Sequence, residues 1–297
     1  MRLVQTLVDC DKESTEPALP PELREMYDGD MRFGASSAGR PYVVANFVST
    51  LDGVVSYAIK GKSSGSAISD SNPADRFIMG LLRASADAVI VGAGTLEDAG
   101  ANSLWTPEYV YPDAKGLYAE YRINALQKPE YPLLVIVSGS GKLDLERAIF
   151  KTSAMRTVVV TTAAGKDELT RRGAATLSSV EVRALNSSSG GIDPLAILEL
   201  LQAQFGVKTL LHEGGPTLFG QFLAVEAVDE LFLTLSPQIA GRSGDSARPA
   251  IVQGVEFLPD SAPRLQMLSA KQKDAYLYLR YRRARVGATC RSGVNRV

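Results

Sequence analysis

The chain carries a single histidine, His212, among its 297 residues. A zinc site built on two histidines is therefore impossible within one chain, and a Ser/His/Asp triad would have to use His212. Cysteine is nearly as scarce. Cys10 and Cys290 stand near opposite ends, which excludes a CxxC redox pair, cysteine-ligated zinc and a disulfide framework. That usage fits a reducing compartment, so the expected location is the cytoplasm. No apolar run approaches the roughly 18 residues of a membrane-spanning helix. The opening MRLVQTLVDCDKE has too short an apolar stretch for a secretory leader. Net charge is missing too: 32 Lys and Arg against 33 Asp and Glu leave −1. Nothing draws the whole chain to nucleic acid or to a membrane surface.

What is present is ordinary globular material, 45% hydrophobic and 22% charged, in a chain long enough to bury a sizeable core. Residues 1–38 read as an N-terminal arm with a short helix in PELREMYDGD. PYVVANFV (41–48), DAVIV (87–91), 133–137, 157–161, 180–182 and 207–211 read as strands, most of them dense in β-branched residues. Between them lie helices, one starting at Ser71 or Asn72 with Pro73, one over about 113–126, one near 166–172, one over 192–205 with Leu195, Leu198, Leu201 and Phe205 on a face, and one over 217–225. Segment 60–70 reads as a polar loop and 186–191 as a flexible one. DELFLTLS (229–236) is a further strand, and AYLYLRYRR (275–283) alternates as an antiparallel edge strand does. Alternating strands and helices predict an α/β fold with a mostly parallel central sheet. A single domain is expected over 39–285, with 286–297 a disordered tail.

Three strand ends carry glycine and small polar residues: STLDG (49–53), GAGT (92–95) and EGGPT (213–217). Glycine there lets backbone N–H groups approach a phosphate, and proline suits the first turn of a helix that binds an anion. Each motif also has a plainer reading as a turn. GAGT is not the full GxGxxG fingerprint. Asp52 before Gly53 is a common turn former, Arg83 at a helix end complements the helix dipole, and His212 reads as a hydrogen-bonded structural residue.

Taken in order, PYVVANFVSTLDG (41–53), LLRASADAVIVGAGT (81–95), LLHEGGPTL (210–218), VDEL (228–231) and SPQIAG (236–241) resemble the reductase family of riboflavin biosynthesis, in its stand-alone form. The zinc deaminase often fused to it has no counterpart here, because no HxE with PCxxC exists.

The resemblance implies a dihydrofolate-reductase-like fold and an NADPH-dependent oxidoreductase of the 5-amino-6-(5-phosphoribosylamino)uracil reductase type. It reduces the ribosyl group of a phosphoribosylamino-pyrimidine, diamino or deaminated, to ribityl. A homodimer is implied, with strand 275–283 facing the neighbour. It places Gly94, Thr95, Ser138, Gly214, Gly215, Pro216, Thr217 and Leu218 at the cofactor. The sequence itself places no arginine that would read a 2′-phosphate; Arg171, Arg172 and the turn after Thr161 are the positions to watch. Asn46, Thr50, Ser66, Arg83 and Asp98 fall to the substrate, and no metal is called for. The acid that opens the ribose would be Asp52 or Glu213. The chain departs from the family after GAGT: LEDAGANSLW lacks the expected proline, and the segment to Tyr131 is long. An altered segment there leaves a different pterin-like or carbonyl substrate as the alternative. Tyr109, Tyr111 and Tyr118 in this insertion would lid the site, build an interface or simply pack on the body. Nine Lys and Arg against Asp274 alone over 264–297 also raise a nucleic-acid surface as a remote third reading.

Overall fold

The computed structural model describes residues 2–11, 18–37, 39–59, 64–188, 191–244 and 248–284. The tail expected to be disordered, together with Lys60 and Lys62, lies outside them. Among the described residues there are twelve strands: β1 (Gln5–Asp9), β2 (Tyr42–Ser49), β3 (Ala88–Gly92), β4 (Leu133–Ser138), β5 (Thr157–Thr161), β6 (Val180–Ala184), β7 (Ser187–Ser188), β8 (Gly191–Ile192), β9 (Thr209–His212), β10 (Glu230–Leu235), β11 (Leu265–Lys273) and β12 (Tyr276–Arg283). The helices are α1 (Pro21–Tyr27), α2 (Ser64–Ser69), α3 (Pro73–Ser85), α4 (Ala93–Asp98), α5 (Pro107–Val110), α6 (Lys115–Glu120), α7 (Ala148–Lys151), α8 (Ala163–Arg171), α9 (Pro194–Phe205) and α10 (Pro216–Ala224).

Ten strands form one sheet in the order β1-β11-β12-β10-β2-β9-β3-β4-β5-β6. From β10 to β6 every neighbouring pair is parallel, and the β10–β12–β11–β1 end is antiparallel. Side-chain alternation splits the core into two layers. Val44, Val89, Val91, Ile136 and Val159 meet Phe77 and Leu81 of α3 on one face. Val43, Ala45, Ile90, Val135 and Leu210 meet Leu198 and Leu201 of α9 and Phe219 and Phe222 of α10 on the other. Such buried parallel strands need apolar residues at successive positions, which is why their sequences read as continuous hydrophobic runs.

Several elements differ from the sequence reading. The N-terminal segment is woven into the sheet, since β1 pairs with β11. Strand β12 is antiparallel as its pattern requires, but β10 and β11 cover both its edges, so it is not the edge strand its pattern suggested. The loop read at 60–70 contains α2, and the one at 186–191 belongs to the small β7–β8 hairpin. Leu195 is 46% exposed, because at 100° per residue it stands about 120° around α9 from Leu201. Several of the described basic residues of the C-terminal segment are paired within the fold: Arg280 binds Glu230 and Asp11, Lys271 donates to Thr6, and Arg283 pairs with Glu226.

The insertion after β3 packs on the body. The helix expected over 113–126 is broken into a 3-10 turn at Pro112–Ala114, α6 and a π turn at Tyr121–Ala125. Tyr111 and Tyr118 pack on Phe77 of α3, where Tyr118 Oη donates to the Phe77 carbonyl at 2.8 Å, while Tyr109 is exposed. The crossing is close enough that a Cβ on Gly80 would lie 2.7 Å from Tyr118 Oη. Arg122 is wholly buried and Nη1 donates to the carbonyls of Arg83, Ala84 and Ala86, satisfying the acceptors that end α3. At its other end, Asn72 accepts from the N–H groups of Ala74 and Asp75, and Pro73 takes the first position.

Candidate functional site

Strand β9 enters between β2 and β3 after the chain has run out to β6, so the carboxyl ends of β3, β4 and β9 surround a point where the sheet changes direction. A cleft of about 380 Å³ lies there. One wall is Gly94 and Thr95 at the start of α4, and another is Val137 and Gly139 at the end of β4. The third is Gly215, Pro216, Thr217 and Leu218, which open α10. Gly215 occupies the N-cap of α10 without a side chain to cap it, and Pro216 stands at the first position. The N–H groups that follow are the kind an anion takes.

The turn into α10 is packed to the limit of glycine. A Cβ on Gly214 would fall 2.8 Å from Leu218 Cδ2 and 3.0 Å from His212 Cε1, and one on Gly215 would fall 3.3 Å from Thr95 Oγ1. Gly94, in contrast, would meet nothing within 4 Å, so its backbone lies open to the cleft. Beneath the turn, His212 Nδ1 accepts the Gly214 N–H at 3.3 Å. Its ring is fully buried among Phe47, Phe219 and Phe222. Burial pushes its pKa down to about 4, so the neutral ring carries its proton on Nε2. The structural reading of His212 agrees with this packing.

On the other side of Glu213 the site changes character. Arg83 Nη2 meets Glu213 Oε2 at 2.7 Å, and Nε lies 3.0 and 3.2 Å from the two carboxylate oxygens. Nη1 donates to the carbonyls of Leu104 and Thr106. Arg83 is 5% exposed, and its fork is filled by protein. Its fork is thus not open to a substrate as the resemblance implied: α3 delivers the guanidinium to Glu213, and it positions that carboxylate. Asn46 follows the Ala45–His212 pair on β2 and so stands beside Glu213 across the strand register. Ser66 is exposed on α2.

The turn after β2 resolves the two readings of Asp52. Thr50 is buried, its Oγ1 donates to Asp52 Oδ1 at 2.6 Å, and it accepts the Val54 N–H. The Asp52 carboxylate also accepts the N–H groups of Ala240 and Gly241 at 3.0 and 2.7 Å. These bonds, the Thr50 hydroxyl first, hold its pKa down at about 2. A carboxylate so held straps the β2 turn to the loop after β10 and is a poor proton donor, which counts against the catalytic role expected for it.

Other expected residues are also redistributed. Asp98 lines the glycine cleft, because GAGT starts α4 and carries Asp98 one helical turn beyond Gly94. Ser138 is buried, while its neighbours Val137 and Gly139 line the cleft. Arg171 and Arg172 turn to Glu168 on their own helix. Sequence reading passed over Asp75, a buried carboxyl in the first turn of α3, and Arg122. Asp75 had a signal, since it lies three and seven residues before Ile78 and Leu82 on the apolar face.

Comparison with known proteins now adds to this geometry. The RibD C-terminal domain family matches residues 41–277. The chain belongs to that family. It is 30% identical over 220 residues to the 2,5-diamino-6-ribosylamino-4(3H)-pyrimidinone 5′-phosphate reductase of Archaeoglobus fulgidus, covering 74% of this chain and 89% of that protein. It is also 30% identical over 206 residues to the riboflavin biosynthesis protein RibD of Chlamydia trachomatis, covering 69% of this chain but only 48% of that one. Among solved structures, a pyrimidine reductase-like protein from Corynebacterium diphtheriae shares the fold, with a TM-score of 0.61, 20% identity, and coverage of 82% of this chain and 92% of that chain.

Proposed function

We propose that this protein is a riboflavin-pathway reductase that uses NADPH to convert the ribosyl group of a phosphoribosylamino-pyrimidine to ribityl. Membership of the RibD C-terminal domain family supports the reductase chemistry, and the archaeal relative's name favours the diamino form of the pyrimidine. The observation that carries the reading is the glycine-opened cleft at the switch of the sheet, set directly against the Arg83–Glu213 pair. The cleft fits a dinucleotide: the open backbone at Gly94 and the uncapped start of α10 suit phosphates, and no bulky side chain fills either. When bound, a reduced nicotinamide supplies the hydride.

The chain's own residues then have distinct tasks. The turn Gly214–Thr217 and the Gly94–Thr95 step hold the nucleotide. Glu213, fixed by Arg83, and Asn46 beside it orient the ribosylamino group. The Thr50–Asp52 strap keeps the loop after β10 in place at the rim. Among the described residues no helix is long and apolar enough to cross a membrane. The cysteine usage supports a cytoplasmic location. A homodimer would form away from β12, and the outer strand β1, with Leu7 and Val8 exposed, is the edge that offers itself.

The test is titration of the purified protein with NADPH and with NADH, followed by the diamino and the deaminated pyrimidine, watching the reduced-nicotinamide absorbance. NADPH binding with oxidation on adding a pyrimidine is expected. Binding without oxidation would move the reading to another pterin-like or carbonyl substrate. Failure to bind either nucleotide would make the glycine turns purely structural.

A further inference from the structure

Asp75 is a carboxyl with no part in the site described so far. It lies in the first turn of α3 and is 5% exposed. Its side chain takes hydrogen bonds from Thr234 and Ser69. Thr234 sits on β10 beside Val48 of β2, two residues along from the Phe232–Asn46 pair. Thr234 and Asn46 therefore share the face of the sheet that α3 covers. On the far side of β2, Glu213 follows the Ala45–His212 pair. Asn46 is thus flanked by two acids, Asp75 above β10 and Glu213 off the end of β9.

Their surroundings are opposite. Glu213 has a bidentate arginine. Asp75 has two hydroxyls, and the charged groups that face it are Arg76 from its own helix, Glu213 across the sheet and Tyr278 from β12. Arg76 Nε is itself committed to the Val110 carbonyl at 2.6 Å. Burial raises the Asp75 pKa to about 6, with a smaller push from Glu213. A buried carboxyl beside a second one that is held in an arginine ion pair is an arrangement that can divide acid from anion in one site.

We propose that Asp75 is the proton donor that opens the ribosyl ring, with the arginine-paired Glu213 as its anionic counterpart across Asn46. The inference rests on the reductase reading above. As the C1′–O4′ bond of the ribosylamine breaks, its electron pair stays on O4′, which takes the Asp75 proton, and the exocyclic nitrogen lone pair closes a C1′=N bond. The iminium is neutralised by the hydride at C1′, and the Asp75 carboxylate regains its proton from water. One proton and one hydride are consumed.

The experiment measures nicotinamide oxidation on the pyrimidine against pH in the wild type, Asp75→Asn, Asp75→Glu and Thr234→Val, with infrared titration of the ligand-free protein beside it. The wild-type rate should fall as pH rises through about 6. Thr234→Val removes a hydroxyl that favours the carboxylate and should move that fall to higher pH. Asp75→Asn should lower the rate by about 100-fold or more and abolish the fall, and Asp75→Glu should restore part of it. A protonated-carboxyl band should vanish near the same pH in the wild type and be absent in Asp75→Asn. If Asp75→Asn does not fold, the Thr234→Val profile decides. Wild-type turnover with an unaltered profile in Asp75→Asn or in Thr234→Val overturns this assignment alone. A wild type that oxidises no reduced nicotinamide on either pyrimidine at any pH overturns the reductase reading, and this assignment with it.

Discussion

The two halves of the site are built from different materials. The cleft between α4 and α10 is made of glycine and backbone, and its recognition groups are N–H dipoles fixed by helix starts. The face beyond Glu213 is made of charge: a buried arginine–carboxylate pair, a buried carboxyl under two hydroxyls and, at the rim, a half-exposed strapped aspartate. A backbone cradle costs little to bury because its polar groups belong to secondary structure. Buried charge is costly unless it is partnered, so substitutions at the buried Arg83, Glu213 and Asp75 have large effects of predictable sign.

The comparison is broken most severely at the pair. Arg83→Met leaves the Glu213 carboxylate, 8% exposed in its side chain, without its partner. The protein should lose about 3–5 kcal/mol in chemical denaturation. Adding Glu213→Gln to that variant should recover part of the loss. If Arg83→Met alone is neutral, the pair is ornamental. Asp75→Asn acts through pH. Its raised pKa makes the acid form the stable one, so the wild type holds this contribution below about pH 4 and loses it as pH rises through about 6. Between those limits it should lose about 3 kcal/mol relative to Asp75→Asn, read from denaturation midpoints at pH 4 and pH 7. Gly214→Ala probes the cradle. The new Cβ collides with Leu218 and His212, and nucleotide affinity should fall about 10-fold, the equivalent of about 1–2 kcal/mol of overpacking. Asp52→Asn should do least. A strap lost at the rim leaves turnover within about twofold, and a loss comparable with that in Glu213→Gln would return Asp52 to catalysis.

The same contrast explains what the sequence made legible. Glycine and proline at strand ends are local signals, and the cleft wall formed by Gly94, Thr95 and Gly215–Leu218 could be read from them. Continuous apolar runs likewise marked β2 to β5 and β9. The charged face depends on contacts between residues far apart in the chain. Nothing near Arg83 announces Glu213, which is 130 positions away, and nothing near Asp52 announces the Ala240 and Gly241 N–H groups. Strands β1 and β11 escaped notice because their sequences, QTLVD and LQMLSAKQK, lack a continuous apolar run, although Leu268 to Lys271 of β11 are buried. Asp98 joins the glycine cleft because GAGT opens a helix and one helical turn carries its side chain there, which local sequence does not announce.

The measurement that bears most directly on this division is a paired one: nucleotide dissociation constants and pyrimidine turnover for Gly214→Ala and Glu213→Gln. The account predicts that Gly214→Ala weakens nucleotide binding, while Glu213→Gln binds the nucleotide as the wild type does and loses at least about 100-fold in turnover. Equal weakening of nucleotide binding in both variants, or turnover undiminished in Glu213→Gln, would contradict it.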